Sequence, residues 1–269
     1  MRGDTLTRLV EIMDRLLAPD GCAWDREQTL GSLRPFLIEE TYEVLEALDR
    51  NDVALHREEL GDLLMQIIFQ SALREREGAF DIDAVIAEIC EKLVRRHPHV
   101  FAAPGGERVE GMDDAEKVLA QWERIKASEK KVSRRTLDGV TPGLPALAHA
   151  QKLSHKAAKV GFDWPSWEGS AEKIEEELRE VREVATGADT AARHHEIGDL
   201  LFAVVNLARK VGVDAETALR DASGRFATRF ERIEDRLAAQ QRRPTDASLE
   251  ELDALWNEAK RELAALSKK

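Results

Sequence analysis

Apolar residues recur along the chain at intervals of three and four positions, the spacing that places side chains on one face of a helix. Short segments rich in Gly, Pro, Asn or Asp, which favour turns, interrupt this pattern. Aromatic residues make up only 5% of the chain, and Ala, Leu, Glu and Arg dominate, so the expected fold class is all-α. The predicted helices cover residues 4–18, 31–50, 52–77, 81–97, 113–129, 145–160, 168–186, 189–211, 214–240 and 248–266.

The predicted helices fall into two series of five, separated by a polar segment. Residues 128–145 contain two pairs of basic residues and the turn-forming run Thr141-Pro142-Gly143, a composition typical of an exposed connection. The length of 269 residues also favours two domains over one. We therefore predict an N-terminal helical unit over 1–130, a linker over 131–145 and a C-terminal helical unit over 146–269.

The two series repeat each other in sequence. The offset is 137 residues through the first three matches and 133 to 134 in the last two, as expected for a tandem duplication that lost a few residues. The matches are Glu39–Glu43 with Glu176–Glu180, the predicted N-caps Asp52 with Asp189, Glu59–Leu64 with Glu196–Leu201, Lys92 and Arg96 with Arg225 and Arg229, and Trp122 and Lys126 with Trp256 and Lys260.

Each repeat carries acids that share a helix face, because residues three or four positions apart are neighbours on a helix. A short turn between the two acidic helices would bring their carboxylates together. Hard carboxylate oxygens without His or Cys suit Mg²⁺, with Mn²⁺ as a second choice. A solvated acidic face is the alternative, and the repetition in register counts against it. The predicted metal ligands are Glu39, Glu40, Glu43, Glu59 and Asp62 in the first repeat and Glu176, Glu177, Glu180, Glu196 and Asp199 in the second.

Basic residues and a Trp follow the acids in each repeat. Basic side chains four positions apart can contact phosphate oxygens, and a Trp can stack against a base. A solvated basic surface and a buried core Trp are the alternative interpretations. The predicted substrate-binding residues are Lys92, Arg96, Trp122 and Lys126 in the first repeat and Arg225, Arg229, Trp256 and Lys260 in the second.

The remaining composition excludes several classes of protein. A formal net charge of −12 argues against general nucleic-acid binding. The apolar runs are too short for a membrane span, and Cys22 and Cys90 do not form a disulfide framework, so we expect a soluble cytoplasmic protein. The chain also lacks a phosphate-binding GxxxxGK[ST] loop and the ExxH pattern of di-iron bundles.

The acidic motifs and three further stretches resemble the MazG nucleoside triphosphate pyrophosphohydrolases, over essentially the whole chain. These stretches are Gly21–Thr29, Arg95–Phe101 and Val160–Trp164. The resemblance implies tandem helical units that pair, so that active sites draw on two units, and it implies a homodimer. It further implies Mg²⁺-dependent hydrolysis of NTPs and dNTPs to the monophosphate and pyrophosphate, by attack of water at the α-phosphorus.

The resemblance also assigns roles. The five acids of the second repeat would hold metal, with one Glu acting on the water, and this repeat would be the main catalytic unit. Its basic residues would bind phosphates and Trp256 the base, although Arg225 stands where the family usually has Lys. Two other hypotheses remain: a narrower enzyme for dUTP or phosphoribosyl-ATP, and a helical module that senses nucleotides or binds a protein without turnover.

Overall fold

A computed structural model describes residues 4–101, 114–129 and 135–266, and over these residues the regular structure is entirely helical. The prediction of an all-α fold is confirmed. Within this part of the chain no helix is both long and apolar enough to cross a membrane. The helices are α1 (Asp4–Leu17), α2 (Ala23–Glu27), α3 (Arg34–Asp49), α4 (Val53–Arg76), α5 (Ile82–Arg96), α6 (Ala115–Glu129), α7 (Ala146–Ala158), α8 (Trp167–Val184), α9 (Thr190–Lys210), α10 (Ala215–Ala239) and α11 (Leu249–Leu266), with a 3₁₀ helix at Pro244–Asp246.

Each helix predicted from periodicity has a counterpart, and two short elements went unpredicted. Helix α2 has five residues, which is too short for a 3.6-residue period to show. The 3₁₀ helix is held by Asp246, whose carboxylate accepts a hydrogen bond from the backbone N–H of Arg243 at 2.8 Å. Pro244 begins it with a φ angle suited to a helical turn.

The chain divides into two compact units, unit 1 (Met1–Lys131) and unit 2 (Val132–Lys269). The first residues of the predicted linker lie outside the described ranges, and residues 135–145 form turns and bends. In unit 2 the ammonium of Lys156 donates a hydrogen bond to the backbone carbonyl of Asp138, which ties this segment to α7. The predicted linker bounds stay a prediction.

Unit 1 is built on the pairing of α3 with α4, with α1 packed on α4. The core lies where α1 meets α4, around Met13, Leu17 and Phe69, all nearly inaccessible to solvent. Asn51 makes the turn between α3 and α4 at a φ of 52°, in the left-handed region that Asn tolerates better than most residues. Asp52 then caps α4, since its carboxylate accepts hydrogen bonds from the N–H groups of Ala54 and Leu55.

Unit 2 repeats this pairing with α8 and α9, and α7 packs on α9 while α10 packs on α7 and α11. Asp189 caps α9 as Asp52 caps α4, by accepting from the N–H groups of Ala191 and Ala192. Both predicted N-caps are therefore confirmed. The buried side chains that hold the helices together include Val205, Ile233 and Leu237. The equivalent caps place the acidic segments of both units in the same position within a helical hairpin.

An ion cluster fastens the segment before α8 to the end of α9. Asp163 accepts hydrogen bonds from Arg209 at 2.6 and 3.1 Å and from Lys210 at 3.0 Å. All three side chains are mostly buried. The hydrogen bonds from Arg209, followed by those from Lys210, outweigh the effect of burial and hold the pKa of Asp163 at about 2. Asp163 thus remains ionised at neutral pH and fixes the entry of α8.

Candidate functional site

In unit 1 the α3–α4 hairpin brings three carboxylates together. One oxygen each of Glu40 and Glu43, on α3, and of Glu59, on α4, lie within 4.8 Å of one another. Burial raises the pKa of Glu40, and the negative charges of Asp62 and Glu43 raise it further. The pKa of Glu59 is raised as well, mainly by burial and then by the negative charges of Glu43 and Asp62. Within the described ranges no hydrogen bond or ion pair brings a cation to Glu40, Glu43 or Glu59.

In unit 2 the α8–α9 hairpin forms a corresponding cluster of Glu177, Glu196 and Asp199, again with one oxygen of each within 4.8 Å of the others. Glu177 is buried, with 4% of its surface exposed. Its Oε2 is buried and has no hydrogen-bond partner among the described residues. Burial raises the pKa of Glu180, and the charges of Glu177 and Glu196 add to this effect. A buried carboxylate oxygen beside further carboxylates is stabilised by a cation, which compensates its negative charge.

A lysine already contacts the cluster of unit 2. The Lys173 ammonium lies 2.6 Å from Glu177 Oε1 and 2.8 Å from Glu176 Oε1. The hydrogen bond from Lys173 lowers the pKa of Glu176, and the bonds to Glu176 and Glu177 raise the pKa of Lys173 above its ordinary value. The position equivalent to Lys173 in unit 1 is Phe36. Sequence reasoning missed this lysine, although its spacing of three and four residues from the two acids was a usable signal.

The structure brings together three of the five predicted carboxylates in each unit, and the third member differs. Unit 1 uses Glu43, whereas unit 2 uses Asp199, which matches Asp62 rather than Glu43 in the repeat. Glu39 is exposed on α3, outside the group of three. Glu176 pairs with Lys173. The metal-binding roles of all ten acids stay a prediction.

The predicted substrate residues of unit 1 form a second cluster, on α5 and α6. The Arg96 guanidinium lies 5.2 Å from the ring centre of Trp122, and the Lys126 ammonium lies 4.7 Å from it. Glu129 accepts hydrogen bonds from Arg95 at 2.6 Å and from Arg96 at 3.0 Å. These bonds, led by that from Arg96, lower the pKa of Glu129 to about 2. The Arg96 guanidinium is thus already bound to a carboxylate. Lys92, also predicted to bind substrate, has its Nζ 3.7 Å from Glu88 Oε1 on the same helix.

The equivalent cluster of unit 2, on α10 and α11, has no acid at the matching position, where Leu263 replaces Glu129. The Arg229 guanidinium lies 5.4 Å from the ring centre of Trp256. Phe226, which is 58% exposed, has its ring centre 5.0 Å from that of Trp256. Arg225 and Lys260 are exposed nearby in sequence on the same two helices. Phe226 was not predicted; its ring also stacks on that of Phe230, four residues later on α10, with ring centres 6.1 Å apart.

The two kinds of cluster lie on different helices within each unit. The carboxylates lie on α3 and α4 or on α8 and α9, whereas the basic and aromatic residues lie on α5 and α6 or on α10 and α11. Over the part of the chain that the structure describes, no hydrogen bond or ion pair links a predicted phosphate-binding residue to the carboxylates.

The carboxylate clusters fit a divalent metal ion. Opposite ligands of an octahedral Mg²⁺ lie about 4 Å apart, so oxygens within 4.8 Å of one another need only small side-chain movements to share one. Oε2 of Glu177, which lacks a hydrogen-bond partner within the described ranges, is an available ligand in a place where an uncompensated charge is costly. The donor set of carboxylate oxygens alone suits Mg²⁺ or Mn²⁺ rather than a softer metal.

Comparisons with known proteins point to one family. Residues 28–101 match the MazG nucleotide pyrophosphohydrolase domain, a region that includes the carboxylates of unit 1. A nucleoside triphosphate pyrophosphohydrolase/pyrophosphatase MazG of Thermotoga maritima is 42% identical over 96% of both chains. A nucleoside triphosphate pyrophosphohydrolase of Escherichia coli is 44% identical over 96% of this chain and 97% of its own. One of Mycobacterium tuberculosis is 43% identical over 60% of this chain and 47% of its own. With full-length similarity at this level, the chain belongs to the MazG family of nucleoside triphosphate pyrophosphohydrolases.

Proposed function

We propose that this pyrophosphohydrolase binds Mg²⁺, or Mn²⁺ in its place, at its carboxylate clusters and cleaves both NTPs and dNTPs to the monophosphate and pyrophosphate. The observation that carries the proposal is the buried Glu177, which lies beside Glu196 and Asp199 and whose Oε2 has no hydrogen-bond partner among the described residues. A buried carboxylate in this setting is stabilised when a cation binds it. The C-terminal repeat is proposed as the main catalytic unit.

The reaction needs a water molecule to be oriented and to lose a proton. Glu180 is the proposed base, because burial and the charges of Glu177 and Glu196 raise its pKa towards the range useful for proton transfer. The water oxygen forms a bond to the α-phosphorus while the bond from that phosphorus to the oxygen of the β-phosphate breaks. Pyrophosphate leaves with the electron pair, and Glu180 takes the proton. A bound divalent ion supplies positive charge that stabilises the phosphate oxygens in the transition state.

The basic and aromatic residues provide nucleotide binding. Arg225, Arg229 and Lys260 neutralise phosphate oxygens, and Trp256 together with Phe226 offers apolar ring faces for a base. Stacking on a ring face does not depend on the hydrogen-bonding groups of the base, which supports a broad choice of substrates. In unit 1 the residues proposed for the same role are Lys92, Arg96, Trp122 and Lys126.

We propose a homodimer, because each unit presents an apolar stripe on the second helix of its acidic hairpin, α4 in unit 1 and α9 in unit 2. The side chains of these stripes occur at the same register in both units and are 38% to 49% exposed. Exposed apolar area of this kind is typical of an interface. A second copy of the chain would cover this apolar area. The stripes consist of Leu60, Leu64 and Ile67 on α4 and Ile197, Leu201 and Val204 on α9.

The dimer has its own test. Light scattering should give about twice the chain mass of 30.2 kDa. Leu201→Glu should shift the distribution towards the mass of a single chain. A wild-type protein that stays at the mass of one chain across micromolar concentrations contradicts the dimer and leaves the chemistry intact.

The catalytic proposal is tested with a panel of NTPs and dNTPs, measuring release of pyrophosphate with Mg²⁺ and with EDTA. Glu177→Gln should lower kcat at least about 100-fold, since it removes a proposed metal ligand. Glu40→Gln should have a smaller effect. Matched controls are Glu183→Gln on α8 and Glu75→Gln on α4, exposed acids outside the clusters, which should retain wild-type rates. Activity in EDTA, or orthophosphate as the first product, contradicts the proposal.

A further inference from the structure

The two carboxylate clusters of this chain differ in one cation. We propose that Lys173 acts as a built-in counter-cation that weakens divalent metal binding at the cluster of unit 2, so that the cluster of unit 1 binds metal more tightly. This inference rests on the proposed function, because it assumes that both clusters hold a divalent ion. Lys173 acts through the carboxylates it contacts and is therefore a positioning residue.

The contacts of Lys173 place its charge at the metal-binding face. It lies three and four residues before Glu176 and Glu177, so its side chain reaches both acids on the same face of α8. The ammonium is 2.6 Å from Glu177 Oε1, while Oε2 of the same carboxylate has no partner among the described residues. A metal ion on Oε2 would then share one carboxylate with a cation. The divalent ion must either displace the ammonium or bind against its repulsion.

The position that matches Lys173 carries no cation in unit 1, and the packing there explains why. Phe36 stands at the position of Lys173 and packs edge-on against Trp24, with ring centres 5.9 Å apart. It is also part of the apolar layer around the core of unit 1. A charged side chain in its place would lose this packing. The three clustered carboxylates of unit 1 have oxygens within 4.8 Å of one another, and across the described residues no hydrogen bond or ion pair joins them to a basic side chain.

A second exchange acts in the same direction. His195 lies on α9 with its Nε2 3.4 Å from Asp199, a member of the unit 2 cluster. The equivalent residue in unit 1 is Glu58, an additional acid beside Glu59. Beside matched carboxylates, unit 1 therefore has Phe36 and Glu58 where unit 2 has Lys173 and His195. The N-terminal cluster should fill first as the metal concentration rises, and the C-terminal cluster should fill at higher concentration.

The test measures binding of Mn²⁺ alone, by electron paramagnetic resonance of the free ion at pH 8, in the full-length protein without nucleotide. The double variant Glu40→Gln/Glu43→Gln leaves only the unit 2 cluster, and Glu177→Gln/Glu196→Gln leaves only that of unit 1. We expect a lower Mn²⁺ Kd for the unit 1 cluster. Lys173→Met, which keeps the apolar stem, should lower the Kd of the unit 2 cluster about tenfold, as expected for removing one charge at this distance in a partly solvated site.

The controls separate a charge effect from a structural one. Lys152→Met removes an exposed lysine of α7 and should leave the Mn²⁺ Kd of the unit 2 cluster unchanged. Lys173→Met should likewise leave the Kd of the unit 1 cluster unchanged. Lys173→Gln is the second variant if the Met substitution prevents folding, as judged by circular dichroism, and it should also tighten binding.

Two results would overturn the inference, and they are distinguishable. If Mn²⁺ binds both clusters with equal Kd, and neither Lys173 variant tightens the unit 2 cluster, Lys173 is no counter-cation while the proposed metal chemistry stands. If Mn²⁺ binds neither cluster, the metal role in the proposed function fails together with this inference.

Discussion

Replacing Asp163 by Asn removes the negative charge that holds the segment before α8 against the end of α9. The carboxylate accepts hydrogen bonds from Arg209 and Lys210 at 2.6 to 3.1 Å, and its side chain is 22% exposed. Asn keeps the size of the side chain but cannot compensate two basic groups that are mostly buried. We therefore expect a loss of stability confined to unit 2.

The size of the loss follows from the pKa of Asp163. The pKa lies at about 2 in the folded protein against 3.8 ordinarily, a difference that corresponds to about 2.5 kcal/mol at neutral pH. Solvent reaches part of the side chain, so we expect a cost of about 1 to 2 kcal/mol for Asp163→Asn at pH 7. Because the folded-state pKa is lowered, this stabilisation is present above about pH 4 and disappears as the pH falls through 2. At pH 3 roughly half of it should remain.

The assay is urea unfolding of the full-length protein at pH 7 and pH 3, with hydrogen exchange of peptides covering 159–167 and 203–211 to locate the effect. Asp20→Asn is the matched control, because Asp20 also pairs with an arginine, Arg15, but both side chains are largely exposed. The control should cost clearly less. Equal losses in the two variants would refute the reasoning, as would a loss for Asp163→Asn that is the same at both pH values.

Three further changes give specific outcomes. Gly21→Ala should destabilise unit 1 by about 1 to 3 kcal/mol in urea unfolding, because its Cβ would collide with backbone carbonyl oxygens at the end of α1, including that of Leu16; a neutral effect would contradict this packing. Asp189→Ala should cost about 1 kcal/mol through loss of the α9 cap, and Asp189→Asn much less; equal costs would argue against capping. Glu129→Gln should strengthen triphosphate binding by unit 1 several-fold in isothermal titration, because it frees the Arg96 guanidinium, whereas unchanged binding would contradict that role.

The helical hairpins and their caps were predictable from sequence because they depend on local patterns. Apolar periodicity located every helix of three turns or more, and the matched aspartates Asp52 and Asp189 marked the starts of α4 and α9. The repeated acids Glu40 and Glu59, with their counterparts Glu177 and Glu196, were placed on facing helices for the same reason. A periodic pattern carries no signal over five residues, so α2 was missed.

Contacts that depend on side-chain placement or on distant residues were not predictable. Glu129 lies 33 residues after Arg96, and only the packing of α6 on α5 brings them together. The choice of Glu43 in one cluster and Asp199 in the other depends on rotamers within matched hairpins. Lys173 was not singled out from the sequence, because ion pairs at this spacing are common on helices, and only the burial of Glu177 distinguishes this one.

In the proposed reaction, water attacks the α-phosphorus of a nucleoside triphosphate with the aid of the cluster around Glu177. Hydrolysis of a dNTP in ¹⁸O-labelled water with Mg²⁺, followed by mass spectrometry of the products, tests this step. We expect label in the monophosphate, unlabelled pyrophosphate, and a rate lowered at least about 100-fold by Glu177→Gln. Label in the pyrophosphate or in orthophosphate, or an undiminished rate in that variant, would contradict it.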